Sequence, residues 1–260
     1  MKYCKTVPFL GGLSLLLVCA GCGHGKSGRS DTDSTALSVV ENEGATSPDC
    51  VFKELSGNVK SVALEFYTLD SPAEISVDSV SFDKNGRLEG MTSFFISEGD
   101  KTCVADFRFD YTSAGETLPA SSRIPGNDFE ARISRDGLGR IVEFVCEMPG
   151  DPERGGEGTY REEYTWDASG KVGEYVLIGW EWAAHTGYTY GDDGLRIKAV
   201  TVNSDIGFES TDTQTYVYKT FDDRGNWTER EVKVVSEQDD EGVKSRNTSV
   251  RIERRRIHYR

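Results

Sequence analysis

Phe221-Asp222-Asp223-Arg224-Gly225-Asn226-Trp227 reads as one sentence: an aromatic residue, Asp, two variable residues, Gly, a polar residue and an apolar one. Phe82-Asp83-Lys84-Asn85-Gly86-Arg87-Leu88 and Trp166-Asp167-Ala168-Ser169-Gly170-Lys171-Val172 repeat it. Fainter copies run from Arg135 to Ile141 and from Tyr190 to Leu195, and a degenerate one pairs Phe109-Asp110 with Gly115. Asp at the head of a turn accepts hydrogen bonds from backbone N–H groups two residues on. Gly at the fourth place supplies the positive φ that closes a hairpin as a bulge. The structural turns are therefore assigned to Asp83 and Gly86, Asp167 and Gly170, and Asp222 and Gly225. An acidic calcium loop is the competing reading, but the later oxygen ligands and the distant bidentate Glu are missing.

The turn glycines fall at 86, 115, 139, 170, 194 and 225, so the gaps are 29, 24, 31, 24 and 31. A recurring spacing marks a repeat architecture. Each gap holds an outgoing strand, a second loop and a returning strand. Period-two alternation supports strands: Cys103, Ala105, Phe107 and Phe109 share a face, as do Tyr160, Tyr164 and Trp166 opposite Thr159, Arg161, Glu163 and Thr165. The expected fold is all-β, an antiparallel meander of repeated hairpins with about twelve strands, forming an open curled sheet or a barrel. Loops of variable length are expected on the rim opposite the Asp-x-x-Gly turns. The Arg-rich end, Val250 to Tyr259, is expected to be a charged, edge-protecting strand.

The N-terminus is of another kind. Lys2 and Lys5 precede an apolar run from Val7 to Val18, which ends in Cys19-Ala20-Gly21-Cys22. The run is too short for a transmembrane helix and is built like a signal peptide. Small residues directly before a Cys resemble the lipobox of bacterial lipoproteins, although Cys19 stands where that family usually has Leu or Val. The resemblance implies a signal peptide over 1–21, lipidation of Cys22 as the link to the membrane, and, with Gly23 following, an outer-membrane lipoprotein of the cell envelope. Residues 22–50 are then the lipidated Cys and a polar tether, too poor in large apolar side chains to fold alone. Residues 51–260 form a single β-repeat domain.

The aromatic-Asp-x-x-Gly-x-apolar units resemble the YD repeats of the RHS family, and more closely small envelope lipoproteins with degenerate RHS-like repeats. Leu55-Ser56-Gly57-Asn58-Val59 before the first unit and the late Gly225-Asn226-Trp227 copy add to the likeness. Phe or Trp replaces the family's usual Tyr in the best copies, and no cargo region is present. The resemblance implies antiparallel hairpin architecture, not a toxin-enclosing shell.

Composition narrows the function. Net charge is −14, and removing Lys2 and Lys5 with the signal takes it from −14 to −16. Such acidity disfavours nucleic acid. After Cys22 there remain Cys50, Cys103 and Cys146, an odd set that allows at most one disulfide; Cys103 and Cys146 read as small buried apolar residues. No pair has metal-ligand spacing, and neither a metal nor a cofactor is expected. Only His24, His185 and His258 are available, with no nucleophile motif near them. A carboxylate-dependent glycoside hydrolase remains as an alternative, because many acids always permit a pair. Trp180, Trp182, His185 and Tyr188 are the candidate binding residues, as an aromatic platform for a sugar ring or an anchor in a protein interface; core packing of the indoles is the plainer reading. The chain therefore reads as a non-enzymatic, lipid-anchored binding or scaffold module for an envelope protein or glycan. A subunit of a larger envelope complex, without a ligand of its own, is the further alternative.

Overall fold

The computed structural model describes residues 46–125, 129–151, 156–179, 182–205, 208–240 and 243–260. Asp222 shows why the repeated sentence is a turn. Its backbone N–H donates to the Asn226 carbonyl, and Gly225 N–H donates back to the Asp222 carbonyl. Its Oδ1 accepts from the Arg224 and Asn226 N–H groups at 2.9 Å each. Gly225 takes φ 78°, which a Cβ would oppose. Asp83, Asp136 and Asp167 repeat the pattern with their own fourth residues on. Two copies depart from it. Gly191 keeps the backbone bonds, while the carboxylate comes from Asp193. The degenerate copy turns about Thr112, not Asp110, with the Thr112 hydroxyl accepting from the Glu116 N–H.

These turns join fourteen strands: β1 (Val59–Thr68), β2 (Ser71–Phe82), β3 (Leu88–Ser97), β4 (Asp100–Arg108), β5 (Ala120–Ser121), β6 (Glu130–Arg135), β7 (Ile141–Asp151), β8 (Gly156–Trp166), β9 (Val172–Ile178), β10 (Trp182–Tyr190), β11 (Arg196–Asp205), β12 (Phe208–Phe221), β13 (Trp227–Asp240) and β14 (Val243–Tyr259). The sheet is an antiparallel meander, two strands longer than expected, and it wraps so that β14 pairs with both β13 and β1. The seam lies between β4 and β5, where Phe107 bridges Ser122 and Arg123 N–H donates to the Asp106 carbonyl at 2.8 Å. The result is a nearly closed barrel.

Two sequence expectations are corrected. β14 is not an edge: it lies inside the sheet, and Arg251, Glu253 and Arg255 are buried within the barrel. Pairing of the first strand with the last is a contact across some 200 residues (Val62 opposite Ile257) and leaves no local signature. Among the described residues, the rim opposite the Asp-x-x-Gly turns is also mostly strand, apart from the stretch between β5 and β6. There β11 runs to Asp205 and β12 starts at Phe208, and β13 runs to Asp240 and β14 starts at Val243. Glu98 and Gly99 link β3 to β4 with positive φ at both, the pairing a two-residue type I′ hairpin needs. Uneven height replaces loop length, since β14 has 17 residues and β9 has 7.

Alternation decides what faces inward. Tyr160, Glu162, Tyr164 and Trp166 share the inner side of β8, while the intervening Arg161 on the outer side pairs with Glu143 at 3.3 Å. One apolar cluster unites side chains from β1 to β10, including Val62, Phe82, Met91, Phe107, Phe144 and Leu177. A smaller one holds Ala199, Tyr216, Val232 and Val234. Fourteen strands enclose more room than wall side chains readily fill. The N-terminal segment contributes further filling: a short helix, α1 (Pro48–Phe52), is capped by Ser47 and starts with Pro48. It buries Cys50, Phe52 and Leu55 in the larger cluster. Residues 46–50, placed in the tether by sequence, are thus part of the folded body.

Candidate functional site

The chemistry of the interior gathers where residues 46–57 cross the barrel mouth at the Asp-x-x-Gly rim. Glu54 is its centre. Arg196 of β11 approaches it at 2.6 Å, Arg230 of β13 at 3.1 Å and Arg255 of β14 at 3.5 Å, and the Trp227 indole N–H donates to it at 3.3 Å. Burial alone would raise this carboxyl, but the three guanidinium groups hold it down at about 2. The Arg230 and Arg255 guanidiniums both lie over the Trp227 ring, 4.0 and 3.6 Å from its centroid. Glu253 continues the network, accepting from Arg230 at 2.6 Å and from Arg251 at 2.8 Å. Donors remain unspent: Nε and Nη1 of Arg196 and Nη2 of Arg230 are buried without a hydrogen-bond partner.

A second fixing point is Asp49. It takes two bonds from Arg135, at 2.5 and 2.8 Å, and one from the Leu88 N–H at 2.6 Å. Ser47 donates to the Gly86 carbonyl, and a Cβ at Gly86 would lie 2.7 Å from Ser47. The third is Asn226, whose side chain bonds both backbone groups of Ser56.

Deeper in, burial lowers the Lys53 amine to about 8 against the pull of Glu162 and Asp78. Burial raises the Asp78 carboxyl to about 6 against a hydrogen bond from Ser93. The cavity beside them, about 20 Å³, has room for one water and none for a sugar ring. On the outer wall two adjoining hollows of about 490 and 250 Å³ share Ser61, Ser81 and Glu89. Their floor is small because Ser61, Ser81 and Gly90 stand side by side on β1, β2 and β3.

The aromatic stretch singled out by sequence does not form one platform. Trp182 and Tyr188 have the parity of buried Ala184 and Thr186 and pack against the inner cluster, with Tyr160 6.5 Å from Trp182. His185 has the other parity and is exposed. Tyr188 is covered by the Arg196 guanidinium at 3.9 Å. Trp180 lies outside the described residues. Cys50, Cys103 and Cys146 are free thiols; Cys50 and Cys146 are buried and Cys103 is half-buried. No group of three or more His, Cys, Asp or Glu able to hold a metal occurs among the described residues.

Sequence reasoning missed the Glu54 cluster, because its members lie up to 201 residues apart. One local signal was available: Ser47-Pro48-Asp49 is a helix start, and a capped turn inside a supposed tether marks a segment with a place to dock.

No family model matches this chain, and no curated protein does. Among solved structures it is similar to a porin-like protein from Bacteroides uniformis ATCC 8492, at 12% identity and a TM-score of 0.43, over 77% of this chain and 96% of that one.

Proposed function

We propose that this chain is a lipid-anchored, non-enzymatic protein of the cell envelope whose barrel stands in water as a binding or scaffold module. The outer wall carries the proposal. A barrel that crosses a bilayer needs an outward apolar band about 25 Å tall. Here the outer face is laced with paired charges: Arg132 with Glu130 and Glu147, Arg161 with Glu143 and Glu163, Lys219 with Glu231, and Arg254 with Glu229. Exposed apolar side chains stand among polar ones: Val217 lies between Thr215 and Lys219 on the outer face of β12, and Ile197 is followed by exposed Lys198. Placing such ladders in hydrocarbon is costly at the midplane, so membrane attachment falls to Cys22 and the segment after it. The interior supports a scaffold over a hydrolase: Glu54 and Glu253 are spent on arginines, and the space beside Asp78 is too small for a sugar. The hollowed outer wall over Ser61 and Ser81 is the face this reading assigns to a protein or glycan partner. The repeated turn units are the degenerate YD type, used here to close a barrel.

The test is metabolic labelling with a fatty acid, followed by membrane fractionation, of the chain and its Cys22→Ala variant. The parent chain is expected to carry label and pellet with membranes, and the variant to carry none and stay soluble. An unlabelled parent chain would sink the anchoring claim.

A further inference from the structure

Residues 46–57 hold their place in an unusual way. Among the described backbone hydrogen bonds, one alone joins this segment to a strand, from the Val59 N–H at the start of β1 to the Gly57 carbonyl two residues before it; the others it makes are internal, such as Val51 N–H to the Ser47 carbonyl and Leu55 N–H to the Cys50 carbonyl. Its seat is specified by side chains: Glu54 in the arginine cluster, Asp49 on Arg135, Ser56 on Asn226, and the Lys53 and Glu54 carbonyls on Arg255. Phe52 and Leu55 fill apolar space between these points. A segment seated in this way can leave without breaking one rung of the sheet. It would leave behind Arg196, Arg230 and Arg255 on the inner wall, with Glu253 as the nearby acid. Some of those guanidinium donors are already unspent with the segment in place.

We propose that residues 46–57 are a displaceable plug, and that the socket of Arg196, Arg230, Arg255 and Trp227 is a carboxylate-binding site which the chain fills with its own Glu54. The occupant defines the ligand class: an acidic peptide segment of a partner, with an aromatic residue two places before a glutamate and an apolar one after it, as in Phe52-Lys53-Glu54-Leu55. The guanidinium groups bind the carboxylate and the apolar cluster takes the flanking side chains. This deepens the binding-module reading and rests on it.

Two measurements on the full chain test the proposal. The first is amide hydrogen exchange. The Val51, Lys53, Glu54 and Leu55 amides are expected to exchange at least about 100-fold faster than those of Ile252 and Glu253 in β14, because the plug opens locally and the sheet does not. The second is binding of a synthetic peptide with the sequence of residues 46–57 carrying Cys50→Ser. It is expected to bind a Glu54→Ala chain at least about tenfold more tightly than the parent chain, whose socket is full. Plug amides that exchange no faster than Ile252 overturn the proposal, whether or not the variant folds. A folded Glu54→Ala chain that fails to bind the peptide overturns it too. Neither readout depends on lipid at Cys22, so failure here leaves the anchoring claim standing.

Discussion

Arg251 and Arg255 point into the barrel from β14, and Arg254 and Arg256 point out of the same strand and are exposed. One residue type, within six positions of one strand, serves two different energetic roles. Outside, Arg254 meets Glu229 at 2.9 Å with half its side chain exposed, so water and salt screen the pair. Inside, Arg251 and Arg230 share Glu253 with no water access, and the cost of desolvating three charges is offset only while all three are present. The outer set is exposed and separable pair by pair; the inner set makes the wall depend on complete pairing.

The largest expected effect breaks the inner side. Glu253→Ala leaves Arg230 and Arg251 buried without their shared carboxylate and should cost about 3–5 kcal/mol, read as a lowered denaturant midpoint. A cost below about 1 kcal/mol would mean that the cluster is hydrated and does not differ from the outer wall.

Glu54 gives the contrast a pH signature. Its folded-state carboxyl lies at about 2 against an ordinary 4.5, so its contribution is complete above about pH 4.5 and is lost as pH falls toward 2. The contribution is on the order of 3 kcal/mol. Asp78 runs the other way: raised from 3.8 to about 6, it favours the fold most below 3.8, and that benefit is lost as pH rises through 6. Subtracting the stability curve of Glu54→Gln from that of the parent chain isolates the first group. A difference curve that is flat between pH 2 and 5 would remove Glu54 from the ion cluster.

A smaller effect belongs to the turns. Gly225→Ala places a Cβ at φ 78° and should cost about 1–2 kcal/mol without altering the sheet, as thermal unfolding and an unchanged far-UV spectrum would show. The smallest effect lies on the outer wall. Glu229→Ala, which removes the partner of Arg254, should cost less than about 1 kcal/mol and less still in high salt. A large, salt-independent loss there would erase the distinction between the two faces.

The turns were legible because everything that makes them lies within five residues: Asp222, Gly225 and the N–H groups of Arg224 and Asn226. The inner aromatic face of β8 was legible from alternation, yet Glu162 sits on it, buried and bonded by the Tyr164 hydroxyl, where parity alone predicts an apolar residue. Closure was not legible, since nothing near Ile257 names Val62 as its neighbour. The arginines of β14 were read by charge alone as exposed; alternation separates Arg251 and Arg255 from Arg254 and Arg256, but the acids that justify burial come from β14 itself and from Glu54, far off in sequence. His185 was grouped with Trp182 and Tyr188 by proximity in sequence, and its odd parity sets it on the other side of the wall.

The most direct test of the central claim, a barrel that is wet outside and filled inside, is flotation of the Cys22→Ala chain with phospholipid vesicles in a density gradient. With its outer charges facing water and no lipid on Cys22, the chain should remain at the bottom of the gradient without detergent. A chain that floats with the vesicles after a high-salt wash would show that the outer wall lies in the bilayer, and would contradict the claim.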